Sequence, residues 1–173
     1  MKPIILLSGP VGAGKTTVAR ELVASSPGPV AYIEGDKFWF FIAKGGEMME
    51  PGRNFKMIMT SMTAASLSYV RAGYEVILDF SVPPWFLDTI VKIVNARNIA
   101  LDYVVLRPSE KVCAARAAAR GEGAIADYTP YRDLYTSFDK AARYTISDDE
   151  SDAAVVATHI REGINEGIFR VSV

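Results

Sequence analysis

At 173 residues, half of them hydrophobic and 23% charged, the chain has the size of one globular domain and the wrong composition for a disordered one. A formal net charge of −1 excludes a global field that would gather nucleic acid or an acidic membrane, although a local basic groove stays open. The single cysteine, Cys113, excludes an internal disulfide.

The first residues, one lysine and four apolar side chains before a glycine loop, do not read as a signal peptide or a membrane span, so a cytoplasmic protein is expected. Ile4 to Leu7 is an apolar run. Gly9 to Thr16, GPVGAGKT, follows it and leads into a helical pattern over Thr16–Ser25, so the phosphate-binding motif G-x-x-x-x-G-K-[ST] has a strand before it and a helix after it. Gly9, Gly12 and Gly14 let the backbone approach a polyphosphate with its N–H groups pointing inward at a helix N-terminus. In this motif Lys15 reaches the outer phosphates and the Thr16 hydroxyl sits on Mg²⁺.

Ser26-Pro27-Gly28-Pro29 breaks the helix. Val30 to Ile33 reads as a second strand, followed by Glu34-Gly35-Asp36 and the aromatic Phe38 to Phe41. Lys44–Asn54, with Gly45, Gly46, Pro51 and Gly52, is expected to be a mobile loop. A helix follows from Phe55 to a stop at Gly73, carrying Ile58, Met59, Met62, Ala65 and Tyr69 at helical period. Tyr74 to Phe80 is a strand buried on both faces. Pro83-Pro84 opens a helix over Trp85–Asn98, and Leu101 to Leu106 is another buried strand. Ser109 and Glu110 start an alanine-rich helix to about Arg120. Gly121–Pro130 is a second loop, Tyr131–Ala142 is helical, and Tyr144–Ser147 a short strand. A helix over Ser151–Glu166 precedes an alternating tail, Ile168–Val173, expected as an edge strand.

Strands alternating with helices predict a parallel sheet covered on both faces. Ligands collect beyond the carboxyl ends of such strands, here Gly9–Thr16, Asp36, Asp79–Pro84 and Ser147–Glu150. Asp79 is the candidate Mg²⁺ partner of Thr16, or alternatively a cap on the turn before Pro83. Asp36 is placed to take the proton of an acceptor hydroxyl and to help hold the metal, or to cap the segment beginning near Lys37. Arg116 and Arg120 lie four apart on one helix face with no acidic neighbour at that spacing, which suits a lid closing over a triphosphate. Arg53 and Lys56 are candidates for an anionic acceptor, and Trp39, Phe40 and Trp85 for the wall of its pocket. His159, the sole histidine, reads as structural and leaves no zinc cluster.

The combination of GPVGAGKT, an Asp after the second strand, an ILD strand end, an R-x-x-x-R pair and a late strand-loop-helix resembles the small P-loop kinases of the nucleoside-monophosphate-kinase fold group. The branch it is most similar to includes chloramphenicol phosphotransferase, gluconate and shikimate kinases, zeta-type toxins and the polynucleotide kinase domain. The resemblance implies a three-layer α/β/α P-loop NTPase, a five-stranded parallel sheet in the order 2-3-1-4-5, and a single domain over 1–173 with a lid at about 109–142. It implies ATP and Mg²⁺ as cofactors. By the same likeness the nucleotide is held by Gly9, Pro10, Val11, Gly12, Ala13, Gly14, Lys15, Thr16 and Thr17, with Arg116 from the lid and Ser147 and Asp148 near the adenine. Lys15, Asp36, Arg116 and Arg120 are the implied catalytic residues, and Thr16, Asp36 and Asp79 the implied metal ligands. Asp79-Phe80-Ser81-Val82-Pro83 resembles the D-G-F-P-R of nucleoside monophosphate kinases but lacks its Gly and its phosphate-clamping Arg.

The expected function is an ATP-dependent kinase that phosphorylates a hydroxyl of a small molecule, with no membrane or nucleic-acid partner. The alternatives are a nucleotide or polynucleotide-end kinase, a toxin-like kinase of a sugar nucleotide, and an NTP-driven switch. A switch would usually carry a Glu after the strand-end Asp, where this chain has Phe80.

Overall fold

The computed structural model describes residues 2–46 and 50–172. Five parallel strands, β1 (Ile4–Ser8), β2 (Val30–Glu34), β3 (Glu75–Asp79), β4 (Leu101–Leu106) and β5 (Thr145–Ile146), form one sheet in the order β2-β3-β1-β4-β5. The apolar run at the N-terminus thus becomes the central strand, paired with β3 from Ile4↔Val76 to Leu7↔Asp79 and with β4 from Ile4↔Leu101 to Ser8↔Val105. Every residue of β1 and β4 is buried, because helices cover both faces of a parallel sheet and leave no polar side.

Strand alternation sorts the core into two layers. Ile4, Leu6, Val76, Leu78 and Val105 point toward helices α2 (Pro51–Arg71) and α3 (Leu87–Asn95). Ile5, Leu7, Ile77 and Val104 point toward α1 (Lys15–Ala24), α4 (Glu110–Ala118) and α6 (Ala153–Asn165). A short helix α5 (Arg132–Ser137) lies between two 3-10 segments, Thr129–Tyr131 and Phe138–Tyr144, where the sequence suggests one continuous helix.

Two expectations are corrected, and part of a third falls outside the described residues. α2 begins at Pro51 rather than Phe55, since Pro51 stands at the start of the helix, where its missing N–H and fixed φ cost nothing. Residues 47–49 of the expected mobile loop lie outside the described residues. The tail forms one antiparallel bridge, Asp102↔Arg170, instead of an edge strand: the Tyr103 and Val171 amides donate to Phe169 and Leu101 carbonyls, alongside the half of β4 that β5 leaves unpaired. Val173 is outside the described residues.

Candidate active site

The glycine loop leaves β1 and is clamped between the end of β4 and helix α4. A Cβ at Gly9 would stand 2.1 Å from the Leu106 carbonyl oxygen, and one at Gly12 2.1 Å from that of Cys113. Gly9, Gly12 and Gly14 all have positive φ, at 140°, 81° and 90°, as a loop turning its amides inward requires. Serines brace it: Ser8 Oγ donates to the Val82 carbonyl and accepts from the Val82 amide, while Ser81 Oγ donates to the Gly9 carbonyl.

Beyond the loop lies a cavity of about 400 Å³ lined by Lys15, Thr16, Asp36, Asp79, Arg116 and Arg120, with Gly12, Gly14 and Thr17. Three strand ends and the start of α4's following loop therefore meet at one point. Thr16 Oγ1 donates to Asp79 Oδ2 at 2.7 Å, and the Tyr32 hydroxyl donates to the same oxygen at 3.0 Å. Lys15 Nζ donates to the Gly9 and Pro10 carbonyls at 3.1 and 3.0 Å. Burial lowers the Lys15 pKa although Asp79 and Asp36 pull it upward. Thinned water around Asp36 raises its carboxyl pKa, and Lys15 only partly offsets that.

A second cavity, about 270 Å³, shares Gly14, Thr17 and Arg116 with the first. Val18, Leu106, Ile146 and Val156 supply apolar walls, and Asp148, Ser151 and Asp152 a polar edge. The Asp148 carboxylate accepts the Glu150 and Ser151 amides, and the Ser151 hydrogen bonds hold its pKa down at about 2.

Most sequence-derived candidates converge here, with some differences. Gly9, Pro10 and Val11 line neither cavity: the Gly9 and Pro10 carbonyls face Lys15, and the Val11 carbonyl accepts the buried Tyr128 hydroxyl at 2.7 Å. Ser147 faces away, into a neighbouring hollow with Arg107 and Asp139, because it alternates with Ile146 at the end of β5. Arg120 lies past the end of α4 at Ala118, so it reaches the cavity from the following loop and not from Arg116's helix face. Among the described residues Asp36 makes no capping hydrogen bond on the segment Gly35–Phe41, and Asp79 accepts from Thr16 and Tyr32 rather than closing a turn before Pro83. Tyr32 was not singled out by the sequence. Its partner across the sheet is Ile77, on the same face as Asp79, a relation visible only once register is known.

A glycine loop between a central strand and a helix, with lysine, threonine and a strand-end aspartate converging in front of it, defines a P-loop nucleotide-binding protein with the kinase arrangement of strands. Residues 4–130 match the AAA_33 family model, described as an AAA domain, and the chain belongs to that family. A guanylate kinase from Ruegeria pomeroyi is 28% identical over 138 residues, covering 69% of this chain and 63% of that protein. The match thus spans less than two thirds of this relative's length. Among solved structures, the tunicamycin resistance protein of Deinococcus radiodurans aligns over 100% of both chains with TM-score 0.75 at 17% identity. Shikimate kinase from Acinetobacter baumannii, in complex with shikimate, aligns over 96% of this chain and 95% of its own with TM-score 0.66 at 20% identity. The Mycobacterium tuberculosis APS kinase, in complex with AMPPNP and APS, aligns over 95% and 98% with TM-score 0.68 at 14% identity. No helix among the described residues is long and apolar enough to cross a membrane.

Proposed function

We propose that the protein transfers the γ-phosphate of ATP to a hydroxyl of a small-molecule acceptor. The observation that carries this reading is the placement of Asp36 in one cavity with Lys15, Thr16, Asp79, Arg116 and Arg120. Phosphoryl transfer needs positioning and charge compensation more than covalent help. The loop amides and Lys15 hold the phosphate chain, and the apolar second cavity accepts the base. Arg116, shared by both cavities, and Arg120 face the oxygens on which charge spreads. Asp36 Oδ accepts the acceptor's hydroxyl proton as its oxygen bonds to γ-phosphorus and the bridging P–O bond to ADP breaks. The stretch from about 109 to 142 serves as the lid, with Arg120 on its exposed part and Tyr128 anchoring it to the loop.

Mg²⁺ fits the hard oxygen donors Thr16 Oγ1, Asp79 and Asp36. Mg²⁺ is commonly held by one or two carboxylates, with phosphate oxygens and water completing its shell. When bound, it would neutralise charge on the transferring group.

The guanylate kinase relative favours a nucleotide acceptor as a second reading. Against it, Asp79–Pro83 carries no arginine to clamp a second phosphate, and the Ser81 hydroxyl is committed to the Gly9 carbonyl. A hydrolytic switch is disfavoured because Phe80, 3% exposed and packed against Gly35, replaces a water-activating glutamate.

The test is coupled ADP release over sugars, aminoglycoside and phenicol antibiotics, shikimate-like acids and nucleosides, with Asp36→Asn as control. Acceptor-dependent turnover lost in the variant supports the reading. Partner-stimulated hydrolysis with no phosphorylated acceptor would overturn it.

A further inference from the structure

The aromatic residues narrow the acceptor's chemistry, an inference that rests on the kinase reading. The chain has eight phenylalanines and two tryptophans. Phe138 and Phe169 are buried in the core. The other eight fall at positions 38–41, 55, 80, 85 and 86, beyond the carboxyl ends of β2 and β3 and at the start of α2. One of them underlies the catalytic turn: a Cβ at Gly35 would lie 2.5 Å from the Phe80 ring, so the turn carrying Asp36 rests on that ring. Phe55 stacks on Phe80 with centroids 5.2 Å apart and meets Phe86 at 4.8 Å.

Part of this group stands in water. Phe40 is 86% exposed, Phe41 78% and Trp85 57%. A patch of exposed rings beside a reactive centre marks a binding surface. Between the 3-10 segment Gly35–Phe41 and α2 lies a cavity of about 670 Å³, walled by Phe38, Phe41, Ile42, Met57 and Ile58. It starts two residues after Asp36. Lys44 is the one charge among its described lining residues, and the Asn54 amide is already committed to the Gly46 carbonyl at 2.7 Å. Among the described residues these walls hold no paired guanidinium groups for a second phosphate, and beside Lys44 only the Ser61 hydroxyl is left for the many hydroxyls of a bare polyol.

We propose that this aromatic wall and cavity receive the body of the acceptor, and that the acceptor is a neutral hydroxyl compound carrying an aryl group. Phe38 and Phe41 meet edge to face with centroids 5.6 Å apart, an arrangement that an incoming ring extends, and the Met57 thioether adds a soft contact at the cavity edge.

The test compares benzyl, octyl and methyl β-glucosides, which share their sugar hydroxyls and differ only in the apolar body. Binding is measured by calorimetry with magnesium and AMPPNP present. Both tryptophans belong to this aromatic group, Trp39 next to Phe38 in the chain and Trp85 against Phe86, so emission reports binding there without a label. The expected result is benzyl binding at least ~10-fold tighter than methyl and tighter than octyl, with a change in tryptophan emission. Phe41→Ser and Trp85→Ser remove exposed rings; each should bring the three ligands closer together and leave AMPPNP affinity unchanged. Equal affinity, no binding of any glucoside, octyl preferred over benzyl, or a preference intact in both variants would each overturn the proposal. Failure of AMPPNP itself to bind would overturn the kinase reading instead.

Discussion

The Thr16 hydroxyl and the Asp79 carboxylate meet at 2.7 Å, joining the first turn of α1 to the end of β3 across the mouth of the glycine loop. Asp79 is 6% exposed and accepts a second hydrogen bond, from Tyr32, on the same oxygen. A carboxylate so held is oriented before any ligand arrives. Asp79→Ala should lower ADP release on the order of 10²-fold or more, because the magnesium it would hold no longer neutralises charge on the transferring group. Tyr32→Phe leaves the carboxylate in place but frees its orientation, and should cost ~10-fold. In a magnesium titration of ADP release, Tyr32→Phe should move the midpoint to higher concentration. An unmoved midpoint would make Tyr32 merely structural.

Loop glycines divide by what surrounds them. Gly12 combines φ of 81° with a Cβ position 2.1 Å from the Cys113 carbonyl oxygen, whereas Gly123, at φ 74°, has nothing within 4 Å. Backbone strain alone costs about 1 kcal/mol for a non-glycine residue in the left-handed region. Gly123→Ala should therefore lower stability by about that amount and leave AMPPNP affinity alone. Gly12→Ala must also push α4 away, so its loss should be clearly larger and nucleotide binding should fail. Thermal melts and calorimetry of the two variants distinguish these outcomes.

Asp36 gives the site a pH signature in stability. Its pKa is raised above 3.8 by desolvation, with Lys15 opposing, so the folded protein holds the proton more tightly than the unfolded chain does. The favourable contribution of the protonated carboxyl is full below pH 3.8 and is lost as pH rises through the folded value. Above that value the ionised Asp36 weakens the fold. Because the Asp36 side chain keeps contact with solvent, Asp36→Asn should raise the melting temperature at pH 7 only slightly while abolishing acceptor phosphorylation, and the gain should fade on acidification toward pH 3.8. A variant less stable than wild type at pH 7 would contradict the desolvation argument.

The glycine loop and the order of strands and helices were legible because each is written locally, in a motif with fixed spacing and in apolar periods of two or 3.6 residues. Asp79 was legible for the same reason, as the polar end of an apolar run. Tyr32 was not, since its role depends on the pairing Tyr32↔Ile77, and register is set by tertiary packing. Which hollow the Ser147 side chain enters was not legible either, because at a two-residue strand one residue's alternation decides it. The division of Tyr131–Ala142 into 3-10 and α pieces also escaped the pattern. Its cause is local geometry, including a non-helical Ala141 at φ −105°, ψ 19°, that apolar spacing does not encode.

Far from the site, Arg161 on α6 forks onto Glu75 at the start of β3, with Nη1 and Nη2 at 2.6 and 2.8 Å from the two carboxylate oxygens, and Nη2 also donates to the Leu22 carbonyl at the end of α1. Three elements are thereby held at the pole opposite the nucleotide cavities. Burial works to raise the Glu75 pKa, yet the Arg161 hydrogen bonds and charge prevail and hold it below the ordinary 4.5. A depressed carboxylate contributes stability that is present above the unfolded value and is lost as pH falls through the folded one. Arg161→Ala should lower unfolding free energy by about 2 kcal/mol at pH 7, less than a fully buried pair because the guanidinium keeps some solvent. Arg161→Lys should recover only part of that, since an ammonium cannot bridge both oxygens and the carbonyl in one plane. Urea unfolding of the three proteins at pH 7 and again below pH 4.5 measures this, and the wild-type advantage should shrink at the lower pH. An advantage of equal size at both would mean that Arg161 acts through packing of its methylene stem between α1 and α6 and not through the ion pair.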